Sequence, residues 1–137
     1  MWKRCALVAA GCLSVAPAII QSGYAQTPEI ADIKRSKICS VASTKTVGTS
    51  IGTSKITMNN DGGWCWLSLW ATHGSTLYVA TFRVSQPPAH GQLLMGAVNG
   101  RARVAYQPTS GFAGEDSYHL VDTMNGLERA VTITVRQ

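Results

Sequence analysis

Arg101-Ala102-Arg103-Val104-Ala105-Tyr106-Gln107-Pro108, followed by Gly111-Phe112-Ala113-Gly114-Glu115-Asp116-Ser117-Tyr118, is the stretch on which the fold turns. Ala102, Val104 and Tyr106 alternate with Arg101 and Arg103, the period of a strand with one wet face. Asn99-Gly100 just before it is a hairpin-type dipeptide. At the far end, Pro108 stops the pairing. Tyr106 can turn its ring inward and bond the turn through its hydroxyl. Gly111 and Gly114 permit a tight backbone, so Phe112, the one large apolar residue of the turn, is expected to plug the core. Asp116 is placed to accept amide hydrogens of the turn before the next strand begins.

The same signals extend outward. Trp64 to Trp70, Leu77 to Val84, Gln92 to Met95, Ser117 to Val121 and Ala130 to Val135 read as further strands, separated by His73-Gly74-Ser75, Pro87-Pro88-Ala89-His90-Gly91 and Asn125-Gly126. In the last of them Val131, Ile133 and Val135 alternate with Thr132 and Thr134. Upstream, Ile38 to Val41 reads as a first strand, Ser43 to Lys55 as a loop or weak edge strand, and Asn59-Asn60-Asp61-Gly62-Gly63 as a turn. No window after Lys37 carries a helical period. Short strands at this spacing predict an all-β, antiparallel sandwich over 38–137.

The N-terminus reads as an address. Lys3 and Arg4 precede Cys5 to Ile20, an uncharged run shorter than the ~20 residues that span a bilayer core, and Gly23 and Ala25 supply the small residues of a cleavage site. A secretory signal peptide over 1–25 is expected, with a polar tail over 26–37 after it and no stable membrane span in the mature chain. A retained anchor is the bland alternative, and Ala9-Ala10-Gly11-Cys12 is a poor match to a lipoprotein box. Export places the protein in a periplasm or outside the cell. The whole chain has 137 residues, 12 basic and 7 acidic side chains; loss of Lys3 and Arg4 reduces the net charge from +5 to +3. That balance gives no case for nucleic acid, which asks for a clustered basic face. Of the four cysteines, Cys39 and Cys65 remain after cleavage. In an oxidising compartment they are expected to pair, with two buried free thiols as the alternative.

Taken together, Pro88-Ala89-His90-Gly91, Tyr106-Gln107-Pro108 and Gly111 to Tyr118 resemble the bacterial immunoglobulin-like and cadherin-like modules of exported proteins. Their repeats show Pro-x-His-Gly, then Tyr-x-Pro, then Gly-Phe-x-Gly-x-Asp-Ser-Phe/Tyr. The resemblance covers about Val84 to Val135. It implies an immunoglobulin-like sandwich in which Tyr106, Pro108, Gly111, Phe112, Gly114, Asp116 and Tyr118 are structural.

Chemistry is sparse. His73, His90 and His119 have no metal-ligand spacing, and Asn59-Asn60-Asp61-Gly62 lacks the later ligands of a calcium loop. No serine sits in a nucleophile elbow, Glu115 and Asp116 face opposite ways on extended chain, and no cofactor fingerprint is present. The excess is Trp64-Cys65-Trp66-Leu67-Ser68-Leu69-Trp70. Cys65, Leu67 and Leu69 share one face, and Trp64, Trp66 and Trp70 the other. Either the strand is covered on both sides, or the Trp face is partly open and binds a glycan or a protein. The expectation is a non-enzymatic module that acts through protein contacts, with a carbohydrate-binding accessory role for the Trp64/Trp66/Trp70 face as the alternative.

Overall fold

The computed structural model describes residues 29–44, 51–69, 71–73, 76–78 and 81–137. The expected signal peptide over 1–25, the start of the tail, and Trp70 lie outside them. Ten strands follow in chain order: β1 (Cys39–Thr44), β2 (Ile51–Asn59), β3 (Cys65–Leu69), β4 (Ala71–His73), β5 (Thr76–Tyr78), β6 (Phe82–Gln86), β7 (Gly91–Val98), β8 (Arg101–Pro108), β9 (Gly114–Asp122) and β10 (Glu128–Arg136). The described residues contain no helix.

The Arg101 stretch is β8, the middle of a three-stranded sheet ordered β3-β8-β7. Asn99 and Gly100 both have positive φ, 50° and 73°, and close the two-residue turn that pairs Val98 with Arg101. The larger sheet is ordered β1-β2-β10-β9-β6, and β4 and β5 form a separate ribbon. Every pairing is antiparallel except β2 with β10, which is parallel.

The two large sheets enclose one core. Leu67, Leu69, Val104 and Tyr106 from the small sheet meet Ile56, Met58, Tyr118, Leu120, Val131, Ile133 and Val135 from the large one, all buried. This is a β-sandwich. One flank is stapled: Cys39 on β1 and Cys65 on β3 form the expected disulfide, with Cα atoms 5.3 Å apart. The opposite flank is formed by β6 and β7, each paired on one side only among the described residues.

Three readings of the sequence change. The Ser43 to Lys55 stretch leads into β2, an interior strand rather than a weak edge, because Ser54, Ile56 and Met58 all turn inward. Ser54 is a polar residue on the buried face, satisfied by the Ser43 hydroxyl at 3.2 Å and by Arg129 Nη1 at 3.0 Å, so the alternation was hidden. Leu77 to Val84 is two strands, β5 and β6, that belong to different sheets. And the described part of the tail is packed: Ile33 is 8% exposed and Ser36 3%. Ser36 N–H donates to the Trp64 carbonyl and Trp64 N–H to the Lys34 carbonyl, a parallel bridge that extends the β3 edge. Gly63 makes this approach possible, since a Cβ there would run into the Ser36 backbone.

Candidate functional site

The motif residues converge at one end of the sandwich. β8 delivers the buried Tyr106 and β9 the buried Asp116. Tyr106 Oη donates to Asp116 Oδ2 at 2.9 Å. The same carboxylate accepts Ala89 N–H at 2.9 Å, His90 N–H at 2.8 Å and Ser117 N–H at 2.9 Å. Asp116 thus ties the Pro87–Gly91 turn to the strand that follows the Gly111 turn. Burial alone would raise its pKa; the three amides and the Tyr106 hydroxyl outweigh that and hold it below the usual carboxylate range. Burial, then the hydrogen bond to Asp116, pushes the Tyr106 hydroxyl far up. At neutral pH Asp116 is thus held as the carboxylate and Tyr106 as the neutral phenol, joined to each other and, through Asp116, to the turn amides. Pro108 ends β8 opposite Gly91.

Phe112 is half-buried, and its ring stacks on His90 with centroids 4.3 Å apart and planes 10° from parallel. It caps the end of the core rather than plugging it. Gly111 and Gly114, at φ 81° and 136°, bring it there. Phe112→Ala is expected to cost about 1–2 kcal/mol, below the 3–5 of a fully buried ring; a urea midpoint equal to wild type would remove the capping role.

Of the two described tryptophans on this face, Trp64 is buried and Trp66 half-buried. Trp64 is 8% exposed and packs with Ile33 and Ala105. Trp66 is half-buried and, like Ile30 and Leu94, packs against that cluster. The guanidinium carbons of Arg103 and Arg35 lie over its ring at 4.7 and 5.2 Å from the centroid. An open stacking platform running from Trp64 through Trp66 is therefore not what the molecule presents: the segment around Ile33 lies across it. The covering residues are Ile30 and Ile33, two isoleucines three apart among charged neighbours, too short a pattern to announce a buried segment.

Two depressions flank these features. A polar cleft of about 560 Å³ lies between the turns at Asn60–Gly62 and Thr109–Gly111 and is bordered by Gln92 and Gln107. Those glutamines are chained, Gln92 Nε2 donating to Gln107 Oε1 and Gln107 Nε2 to the Gly62 carbonyl. On the open flank, a groove of about 250 Å³ runs between Phe82 of β6 and Met95 and Ala97 of β7. Sequence reasoning missed this second place, although Gly91–Val98 is the one uncharged eight-residue run among the strands. Among the described residues no three His, Cys, Asp or Glu side chains are grouped to hold a metal ion, and no helix is long and apolar enough to cross a membrane. No protein-family model matches the chain, and no curated protein matches it.

Proposed function

We propose that this protein is an exported, non-enzymatic immunoglobulin-like module that acts by protein contact, and that the contact is strand addition at β7. The observation that carries this is the condition of that edge. Proteins guard exposed strand edges with charge, proline, bulges or short length. β6 does so: it carries Arg83, its register slips between Val84 and Gln86, and Pro87-Pro88 follows it. β7 has eight residues, no charge and no proline, and Met95 is 42% exposed. In a two-residue hairpin the pair flanking the turn is hydrogen-bonded and the N–H direction alternates along the strand. The N–H groups of Leu93, Met95 and Ala97 therefore point away from β8. An extended partner segment would take these donors and set an apolar side chain into the groove beside Phe82.

The strand order supports the immunoglobulin-like part. The reading takes β3, β8 and β7 as strands B, E and D, and β6, β9 and β10 as C, F and G, an assignment compatible with the orders β3-β8-β7 and β10-β9-β6. The disulfide departs from the antibody pattern, joining β1 to β3 instead of B to F. The export part rests on the Met1 to Ala25 stretch and fits a bridged cysteine pair. The non-enzyme part rests on Asp116 and Tyr106 being consumed by the fold.

A photo-cross-linker at Met95 of the full chain, compared with one at Lys55 on the other sheet, tests the reading in the source cell. Discrete protein adducts at position 95 are expected, reduced about tenfold or more by Ala97→Pro, which removes an outward N–H without touching the ladder to β8. Equal adducts at both positions, or adducts indifferent to Ala97→Pro, would refute the edge.

A further inference from the structure

The chain holds two Asn-Gly dipeptides, Asn99-Gly100 and Asn125-Gly126, and the fold treats them differently. Both lie in exposed turns, and both glycines have positive φ, 73° at Gly100 and 70° at Gly126. At the second dipeptide the backbone and the side chain are tied down. Gly126 N–H donates to the Asp122 carbonyl at 2.8 Å, and Asn125 Oδ1 accepts Leu127 N–H at 2.9 Å. At the first neither tie exists: among the described residues, the Asn99 carboxamide and the Gly100 N–H have no hydrogen-bond partner. Asn99 itself sits at φ 50°, the one non-glycine among the described residues with positive φ. Its turn joins β7 to β8 and is closed by the Val98–Arg101 pair.

We infer that Asn99 is a modification site, at which the folded protein deamidates with water as the only co-reactant. Asparagine is a chemically labile residue, because the backbone nitrogen that follows it can attack its carboxamide carbon. Here the Gly100 nitrogen gives its proton to solvent and bonds to the Asn99 side-chain carbonyl carbon. The carbon–nitrogen bond of the carboxamide breaks, and ammonia leaves with a proton from solvent. The five-membered succinimide so formed is opened by water at either carbonyl. One opening gives aspartate; the other gives isoaspartate, in which the main chain runs through the former side chain. Across both steps one water is consumed and one ammonia released, and nothing is oxidised or reduced. Two features favour this turn. Gly100 has no Cβ to crowd its own nitrogen. And neither reacting group has a hydrogen bond to give up, whereas Asn125 and Gly126 must surrender two. The consequence falls on β7. A two-residue turn fixes the register of the strands it joins. Isoaspartate adds a methylene carbon to the backbone of that turn and sets a carboxylate there, which loosens the tip of the hairpin. The site stands whether or not a partner pairs with β7.

The test incubates the full chain, bridge intact, in mildly alkaline buffer at body temperature. Mass spectrometry of the peptides that carry residues 99 and 125 follows the exchange of NH2 for OH, and an isoaspartyl methyltransferase marks the isoaspartate. In the folded protein Asn99 should convert at least about tenfold faster than Asn125, the scale of two surrendered hydrogen bonds. In the reduced chain unfolded in guanidinium chloride neither tie survives, and the two rates should agree within about threefold, since a glycine follows each asparagine. Asn99→Gly keeps a residue that accepts positive φ, so the hairpin should persist and the modification at this turn should vanish. In the aged folded protein the Val98 and Arg101 amides should exchange at least about threefold faster than in fresh protein. Equal rates at the two asparagines of the folded protein would overturn the site. So would a difference that persists on unfolding, which would make it a property of the neighbouring sequence. Faster conversion of Asn125 would overturn it as well, and would mean that the Leu127 amide activates the carboxamide carbon instead of restraining it. Unchanged exchange at Val98 and Arg101 would overturn the consequence for β7.

Discussion

Asp116→Ala will lower folding stability by about 3–4 kcal/mol, more than any other single replacement of a polar side chain in the described structure. The reason is the asymmetry between losing an acceptor and losing a donor. Asp116 accepts Ala89, His90 and Ser117 N–H and the Tyr106 hydroxyl. Its removal strands three amide donors and leaves the Tyr106 hydroxyl only the His90 carbonyl, at 3.3 Å. Tyr106→Phe removes one donor and leaves the carboxylate three amides, so about 1 kcal/mol is expected there. Urea unfolding of the three proteins checks this; an Asp116→Ala loss no greater than that of Tyr106→Phe would mean that water satisfies the turn and the node is not a keystone. The node also sets an acid limit. The Asp116 pKa is lowered in the folded protein, so its contribution is fully present above the unfolded value of about 4 and is lost as pH falls through the folded value. Wild type should lose stability below about pH 4, and Asp116→Asn should show a flatter profile over that window. Asp61, also lowered through the Lys37 amide, is exposed and contributes little to that slope.

That node was legible in the sequence because it is local and each part has one reading. Tyr106 closes an alternating strand, Pro108 ends it, two glycines bend the turn, and an acidic residue follows where amides need an acceptor. The disulfide was legible for a similar reason: with the expected signal peptide set aside, two of the four cysteines are left and one pairing exists. What failed was non-local. Ser54 faces inward only because Ser43 and Arg129 come to it from two other strands, and no window of sequence carries that. The Trp64–Trp70 stretch has two rich faces, and its own pattern cannot say which is covered. Ile33 decides it, from a segment whose charges read as solvated. The β7 edge was under-read because edge status is a property of topology. Gly91–Val98 has the composition of a central strand, and only the order β3-β8-β7 places it outside.

Removing the bridge, by reduction or as Cys39→Ala with Cys65→Ala, is the other large effect expected. Cys39 and Cys65 are 26 residues apart, and closing such a loop restricts the unfolded chain by about 3.5 kcal/mol at 25 °C. Against the 5–15 kcal/mol typical of a small domain, roughly, that leaves a folded but weakened protein. The loss should also be visible in one place. The bridge closes the flank where β1 meets β3, and Ser36, three residues before Cys39, is bound to the Trp64 carbonyl and, through its hydroxyl, to Ile38 and Asn59. Freed of the staple, β1 keeps its ladder to β2, the packing of Val41 against the core and the Arg35 bond to the Cys39 carbonyl, and the segment that covers Trp64 loses its nearest covalent anchor. Reduction should therefore red-shift tryptophan emission at denaturant concentrations where the β-sheet circular dichroism is still native. The β7 flank, which has no staple to lose, should keep its hydrogen-exchange pattern under the same conditions. If stability fell by less than about 1 kcal/mol, the covalent link would be redundant with the packing around it. If emission and circular dichroism changed together, the Ile33 segment would be part of the cooperative core rather than a cover laid over it.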